Sequence, residues 1–186
     1  MRKANARERI LETASRLFFK RGYSEVGINE IIEKAETAKA SFYQHYPSKE
    51  ALCEAWLSHV HDKSEISRSE ILDMDKPASE KLELYFDQLE TFMKQSEFRG
   101  CPYSNTGAVS DESCSGILEQ IQGHKESIRQ FFREICFQHT GDREKADQTG
   151  DRLFVLYSGA TTECQNMKDL WPVHSARAAA LELLNH

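Results

Sequence analysis

Proline and glycine are scarce in this chain, four and nine among 186 residues. Few of them fall inside periodic stretches, which counts against a fold of many tight turns and favours helices. No stretch alternates apolar and polar residues as a half-buried strand does, and no internal repeat is visible. No apolar run approaches the length that crosses a bilayer, and the N-terminus is polar and charged. Neither a membrane segment nor a secretory leader is therefore expected. The five cysteines (Cys53, Cys101, Cys114, Cys136 and Cys164) contain no CxxC pair. A structural zinc site and a disulfide framework are both disfavoured, and a cytoplasmic chain with reduced thiols is expected. His59 and His61 stand two apart, on different faces of a helix, so no metal site is expected there. A Gly-rich phosphate loop and a G-x-S-x-G element are missing too, and no cofactor is expected.

What is present is a composition 39% hydrophobic and 29% charged, that of a globular chain with a substantial core. The formal charge of −6 is unevenly spread. Residues 1–50 carry ten Lys/Arg against seven Asp/Glu, whereas residues 51–186 carry fourteen against twenty-three. A mildly basic head thus precedes an acidic body.

The periodicity is helical throughout. Ile10, Leu11, Ala14, Leu17 and Phe18 predict a helix over about 6–20, with Gly22 as a left-handed stop. Ile28, Ile31, Ile32 and Ala35 predict a short second helix with Gly27 at its N-cap. A third covers about 38–44 and must end before Pro47. Ser48 caps a fourth, which runs to about residue 71. Pro77 opens a fifth, striped by Leu82, Tyr85, Phe86, Leu89, Phe92 and Met93. Residues 96–116 read as loop with one short helix near 104–110. Long helices over about 115–139 and 143–167, and a last one over about 172–184, complete an all-α reading of about nine helices. The expected domains are a three-helix head, residues 1–50, and a helical body for effector binding and dimerisation, residues 51–186.

Two short helices joined by a tight turn make a helix-turn-helix unit, whose second helix enters the major groove. Close approach to the groove needs small or polar residues at its start, and Lys39, Ala40 and Ser41 meet that need. Phe42 faces back into the head. Tyr43 and Tyr46 carry hydroxyls that can reach phosphates. Lys49 opens a helix, where the dipole favours an acid, so its presence there points to an anionic partner.

The stretch "RGYSEVGINEIIEKAETAKASFYQHYPSKEAL" resembles the signature of the TetR family of bacterial transcription repressors. The shared elements are Gly22–Tyr23, the isoleucine-bearing helix, Phe42–Tyr43, His45–Tyr46 and Ser48–Lys49–Glu50. The resemblance covers nearly all of residues 6–52. It implies that Lys39, Ala40, Ser41, Tyr43 and His45 face DNA, with Tyr43 and Lys49 clamping its backbone. Gly27, Asn29, Thr37, Ala38 and Tyr46 complete the expected contact set. Two departures stand out. The usual Gly-Val-Ser turn is Glu36–Thr37–Ala38, and the usual Thr-Ser before the second helix is Val26–Gly27.

A helix-turn-helix head reads few bases, so the expected protein is a homodimer on palindromic double-stranded operator DNA. Small residues on the last two helices (Gly159, Ala160, Ala176, Ala179 and Ala180), with Leu183, form the expected interface. Trp56, Tyr85, Phe86, Phe92, Phe131, Phe132, Phe154 and Tyr157 can line a pocket for a small hydrophobic effector. Cys101, beside Arg99 and before a short helix, is a candidate thiol for an oxidant or electrophile, with Cys114 as a resolving partner. Cys53, Cys136 and Cys164 read as inert core. The reading is therefore a DNA-binding regulator, most simply a repressor released by its effector. Two other classes stay open: a helical protein-interaction module, and an enzyme pairing Cys101 with His124 or His139.

Overall fold

The computed structural model describes residues 5–185, which form nine helices and no strand. They are α1 (Ala6–Arg21), α2 (Ile28–Lys34), α3 (Lys39–His45), α4 (Lys49–Asp73) and α5 (Ala78–Gln95), then α6 (Pro102–Gly107), α7 (Ser115–Thr140), α8 (Arg143–Met167) and α9 (Trp171–Leu184). The sequence periodicity finds eight of these within a residue or two. The exception is α6, which starts at Pro102 rather than near 104, because proline is pre-organised for a first helical turn.

Local chemistry sets the ends. Asn5 and Glu8 form a reciprocal capping box at α1, each backbone N–H donating to the other's side chain at 2.9 Å. Ser48 Oγ accepts from Ala51 N at 3.1 Å, as the sequence predicts for α4. Asp142 accepts from Glu144 N and Lys145 N at the start of α8. One expectation is corrected: Gly22 has φ 99° and ψ 153°, a positive φ but not the left-handed helical stop. Its N–H still closes the last turn onto Phe18 O.

The helices group into two compact units that are not continuous in sequence. One contains residues up to Asp62 together with Pro102–Gly123. Its core holds Ile10, Phe18, Val26, Ile31, Phe42, Leu52, Trp56 and Leu57, with Tyr103 and Ile117 from the distant segment. Tyr103 donates its hydroxyl to Leu57 O at 2.7 Å, so its burial leaves no orphan O–H. Each such large apolar side chain contributes roughly 1.5–3 kcal/mol.

The second unit contains Lys63–Cys101 and the residues from His124 onward. Leu82, Phe86, Phe132, Ile135, Leu153 and Ala180 are fully buried there. Lys81 is buried as well, and its ammonium donates to Leu72 O at 2.7 Å and Gln138 Oε1 at 2.8 Å. It thereby satisfies a carbonyl in the last turn of α4. Asp151 accepts from both Arg129 and Arg133, through Nε at 2.7 Å in each case, tying α7 to α8. These two guanidiniums hold its carboxyl well below the usual carboxylate range.

Gly150 lets α8 approach α7. A Cβ there would lie 2.6 Å from Arg133 Cα and N, backbone atoms that cannot swing aside. Gly150→Ala should therefore destabilise, since overpacking costs about 1–3 kcal/mol and exceeds the gain in helix propensity of about 1 kcal/mol. Gly123→Ala, with nothing within 4 Å of its Cβ, should stabilise instead. Urea unfolding of the two variants reads both signs.

Candidate nucleic-acid interface

The turn between α2 and α3 is a Schellman motif. Glu36 N–H donates to Glu33 O and Thr37 N–H to Ile32 O, both at 3.1 Å. The position after the C-cap, which glycine ordinarily fills, is Glu36 at φ 49°. The departure of this chain from Gly-Val-Ser thus falls on a left-handed residue, at a cost of about 1–2 kcal/mol. Arg9 of α1 braces it: Nε donates to Ala35 O at 3.1 Å and Nη2 to Glu36 O at 3.3 Å. Sequence reading misses Arg9, because its role depends on a contact 26 residues away.

Beyond the turn, Phe42 is fully buried and anchors α3. On the same helix Lys39, Ala40, Tyr43 and Gln44 are exposed, Tyr43 by 42%. Ser41 and His45 are half-buried. Gln44 is absent from the sequence-derived set, although its position on the same face as Ala40 and Tyr43 could have revealed it. Its amide can pair with an adenine edge. Gly27, Asn29 and Ala38 are exposed and Thr37 is half-buried.

Tyr46 departs from its expected place. Its ring is 3% exposed in the head core and its hydroxyl turns to Arg7 O at 3.4 Å. Its first role is thus packing. Lys49 extends over the Tyr23 ring, 4.4 Å from the centroid, with Nζ 3.5 Å from Ser24 O. Tyr23 donates its hydroxyl to Glu50 Oε1 at 3.1 Å, which fixes the ring beneath the ammonium.

The body residues separate into groups. Trp56 belongs to the first unit, 5.4 Å from Phe18. Tyr85, Phe86, Phe131, Phe132 and Tyr157 do come together: Tyr85 lies 4.5 Å from Phe131 and stacks on Tyr157 at 5.0 Å. Phe92 and Phe154 pack at the edge of that core. Ala160, Ala176 and Ala180 are buried inside the protomer, which corrects their assignment to a dimer face: they let α8 and α9 pack on each other. Gly159 is exposed, and Ala179 and Leu183 are half-buried. With Val155 and Leu156 the latter two line an open groove of about 670 Å³ on α8 and α9, edged by Asp151, Arg152 and Glu182.

Cys101 and Cys114 are half-buried and fall in different units. Lys125 Nζ lies 3.6 Å from Cys101 Sγ. Cys53, Cys136 and Cys164 are buried, and burial pushes the Cys53 and Cys136 thiols up to about 12. Among the described residues no cluster of three metal-ligating side chains occurs, and no helix is long and apolar enough to cross a membrane.

A braced helix-turn-helix with an exposed, polar reading face, carried on a helical body, defines a DNA-binding transcriptional regulator. Residues 10–56 match the bacterial regulatory proteins of the tetR family. That match covers the head of the chain. The chain is 30% identical over 122 residues to an HTH-type transcriptional regulator of Lactococcus lactis, and spans about 62% of that relative's length. It is 24% identical to the transcriptional repressor NemR of Escherichia coli, covering 94% of this chain and 91% of the relative. It is 29% identical to the repressor DhaR of a Mycobacterium strain, covering 99% and 94%. Solved structures share the fold. A TetR regulator from Legionella pneumophila superimposes with TM-score 0.83 at 24% identity, over 97% of each chain. The reduced form of Escherichia coli NemR gives 0.81 at 21%, over 96% and 97%.

Two variants test the head. Arg9→Ala should cost about 1–2 kcal/mol, and Glu36→Gly added to it should recover about 1 kcal/mol by relieving the left-handed strain. A double variant no more stable to urea than Arg9→Ala would remove that strain from the account. Lys49→Ala should weaken binding to all DNA sequences and flatten the salt dependence by about one unit of slope. A change in base preference at constant slope would contradict a phosphate role.

Proposed function

We propose that this chain is a cytoplasmic repressor that binds palindromic operator DNA as a homodimer and leaves it when a small-molecule effector binds in the body. The exposed residues Lys39, Ala40, Tyr43 and Gln44 on α3, which buried Phe42 anchors, carry the proposal. This is the arrangement a groove-reading helix needs. Full-length likeness to relatives named as repressors supports the direction of regulation. The groove on α8 and α9, with Val155 67% exposed, fits a second copy of the chain. The effector acts by preferring the state that cannot bind DNA.

A second reading is favoured by one contact. Lys125 Nζ lies 3.6 Å from the half-buried Cys101 Sγ, and oxidant or electrophile chemistry at Cys101 is an alternative release signal.

Gel shifts with DNA upstream of the chain's own gene test the main reading. Palindrome-dependent, salt-sensitive binding by a dimer is expected, and binding by a monomer, or none, would overturn it. Near neutral pH a maleimide should label Cys101 and Cys114, leaving Cys53, Cys136 and Cys164 until denaturation. If Cys101→Ser releases operator normally under oxidant or electrophile, the thiol reading fails.

A further inference from the structure

Arg68, in the second unit, is 2% exposed. A guanidinium so buried needs a counter-charge and partners for its five N–H groups. Nη2 donates to Glu65 Oε2 at 2.6 Å and to Ser127 Oγ at 2.8 Å. Its charge acts on the buried Tyr85 hydroxyl as well. Nε, however, is buried and finds no hydrogen-bond partner among the described residues.

The pairing is therefore incomplete in a specific way. Arginine recognises a carboxylate best through two parallel N–H donors. Glu65 supplies Nη2 through one oxygen and shares that oxygen with Ser127. Its side chain is 51% exposed, so this acid reaches in from the solvent side. Nε and Nη2 together could donate to both oxygens of one carboxylate, whereas Glu65 now engages Nη2 through a single oxygen.

The surroundings are apolar and aromatic. Tyr85 stacks on Tyr157 and lies 4.5 Å from Phe131, so a flat apolar body beside the guanidinium would meet rings. Ser127 adds a hydroxyl donor.

We propose that Arg68 anchors a site for a small arylcarboxylate. The ligand's carboxylate takes the Nε–Nη2 edge with help from Ser127, and its ring packs against Tyr85 and Tyr157. Glu65 is the resident stand-in that the ligand displaces. This rests on the reading that an effector enters the body, and it names that effector's chemical class.

The test uses benzoate, phenylacetate and indole-3-acetate against their neutral amides, with calorimetry and thermal unfolding of the full-length protein. The acids should bind at least tenfold tighter than the amides. Glu65→Ala should lower the melting temperature by stranding the buried cation. It should also bind the acids about tenfold tighter, and the acids, not the amides, should restore its melting temperature. Arg68→Gln should lose the preference for acids. Amides that match the acids, or a Glu65→Ala variant whose affinity for the acids is unchanged or that binds none of them, would overturn the proposal. If Glu65→Ala does not fold, the acid-to-amide ratio on the unaltered protein still decides. Operator gel shifts separate the two readings. Arg68-dependent binding of acids that leaves operator bound upholds this site and sinks effector release. Release of operator by the neutral amides, unaffected by Arg68→Gln, does the reverse.

Discussion

The short helix α3 stands where it does because one residue accepts a backbone conformation it disfavours. Glu36 turns left-handed so that α2 can stop and α3 can start three residues later. Two Schellman hydrogen bonds and two donors from Arg9 outweigh the penalty. Phe42, fully buried, then locks the rotation of α3 about its own axis. Which residues face outward follows from that one anchor, because residues three and four apart share a face. Turn, brace and anchor together present Lys39, Tyr43 and Gln44 as a set.

The same logic, a polar group fixed by partners within apolar surroundings, recurs in the second unit. Lys81 donates to a carbonyl and to an amide oxygen. Asp151 accepts from two arginines at once. Arg68 differs from both, since one of its donors stays unmet while its acid stands half in solvent. Completed networks hold helices together, and an incomplete one in an aromatic cluster is a place where chemistry from outside can improve on the resident partner.

Helix existence and extent were legible in the sequence, because apolar residues at 3.6-residue spacing leave little freedom over long stretches. Ser48 as a cap and Phe42 as an inward anchor were legible for the same local reason. The small-residue stripe was legible as a close-packing signal but not as to its partner. Ala160, Ala176 and Ala180 serve the packing of α8 on α9, whereas Gly159 faces outward. Tyr46 shows the limit in the head, since a tyrosine pattern does not say whether the ring or the hydroxyl decides its placement. Arg9, Arg68 and the company of Trp56 depend on contacts between distant segments, which no local periodicity records. The likeness to Gly-Val-Ser located the departure at Glu36, but its meaning, a left-handed backbone, required the dihedral angle.

The discontinuous first unit has a consequence for how the chain comes into being. Its core includes Tyr103 and Ile117, which are synthesised after the whole stretch 63–101. That unit therefore begins to leave the ribosome with part of its interior still missing. Closing a loop of that size is entropically tolerable, rising only slowly with length, but it must wait for the later residues to emerge. In the interval the apolar faces around Leu57 are uncovered, and chaperones have their natural opportunity there.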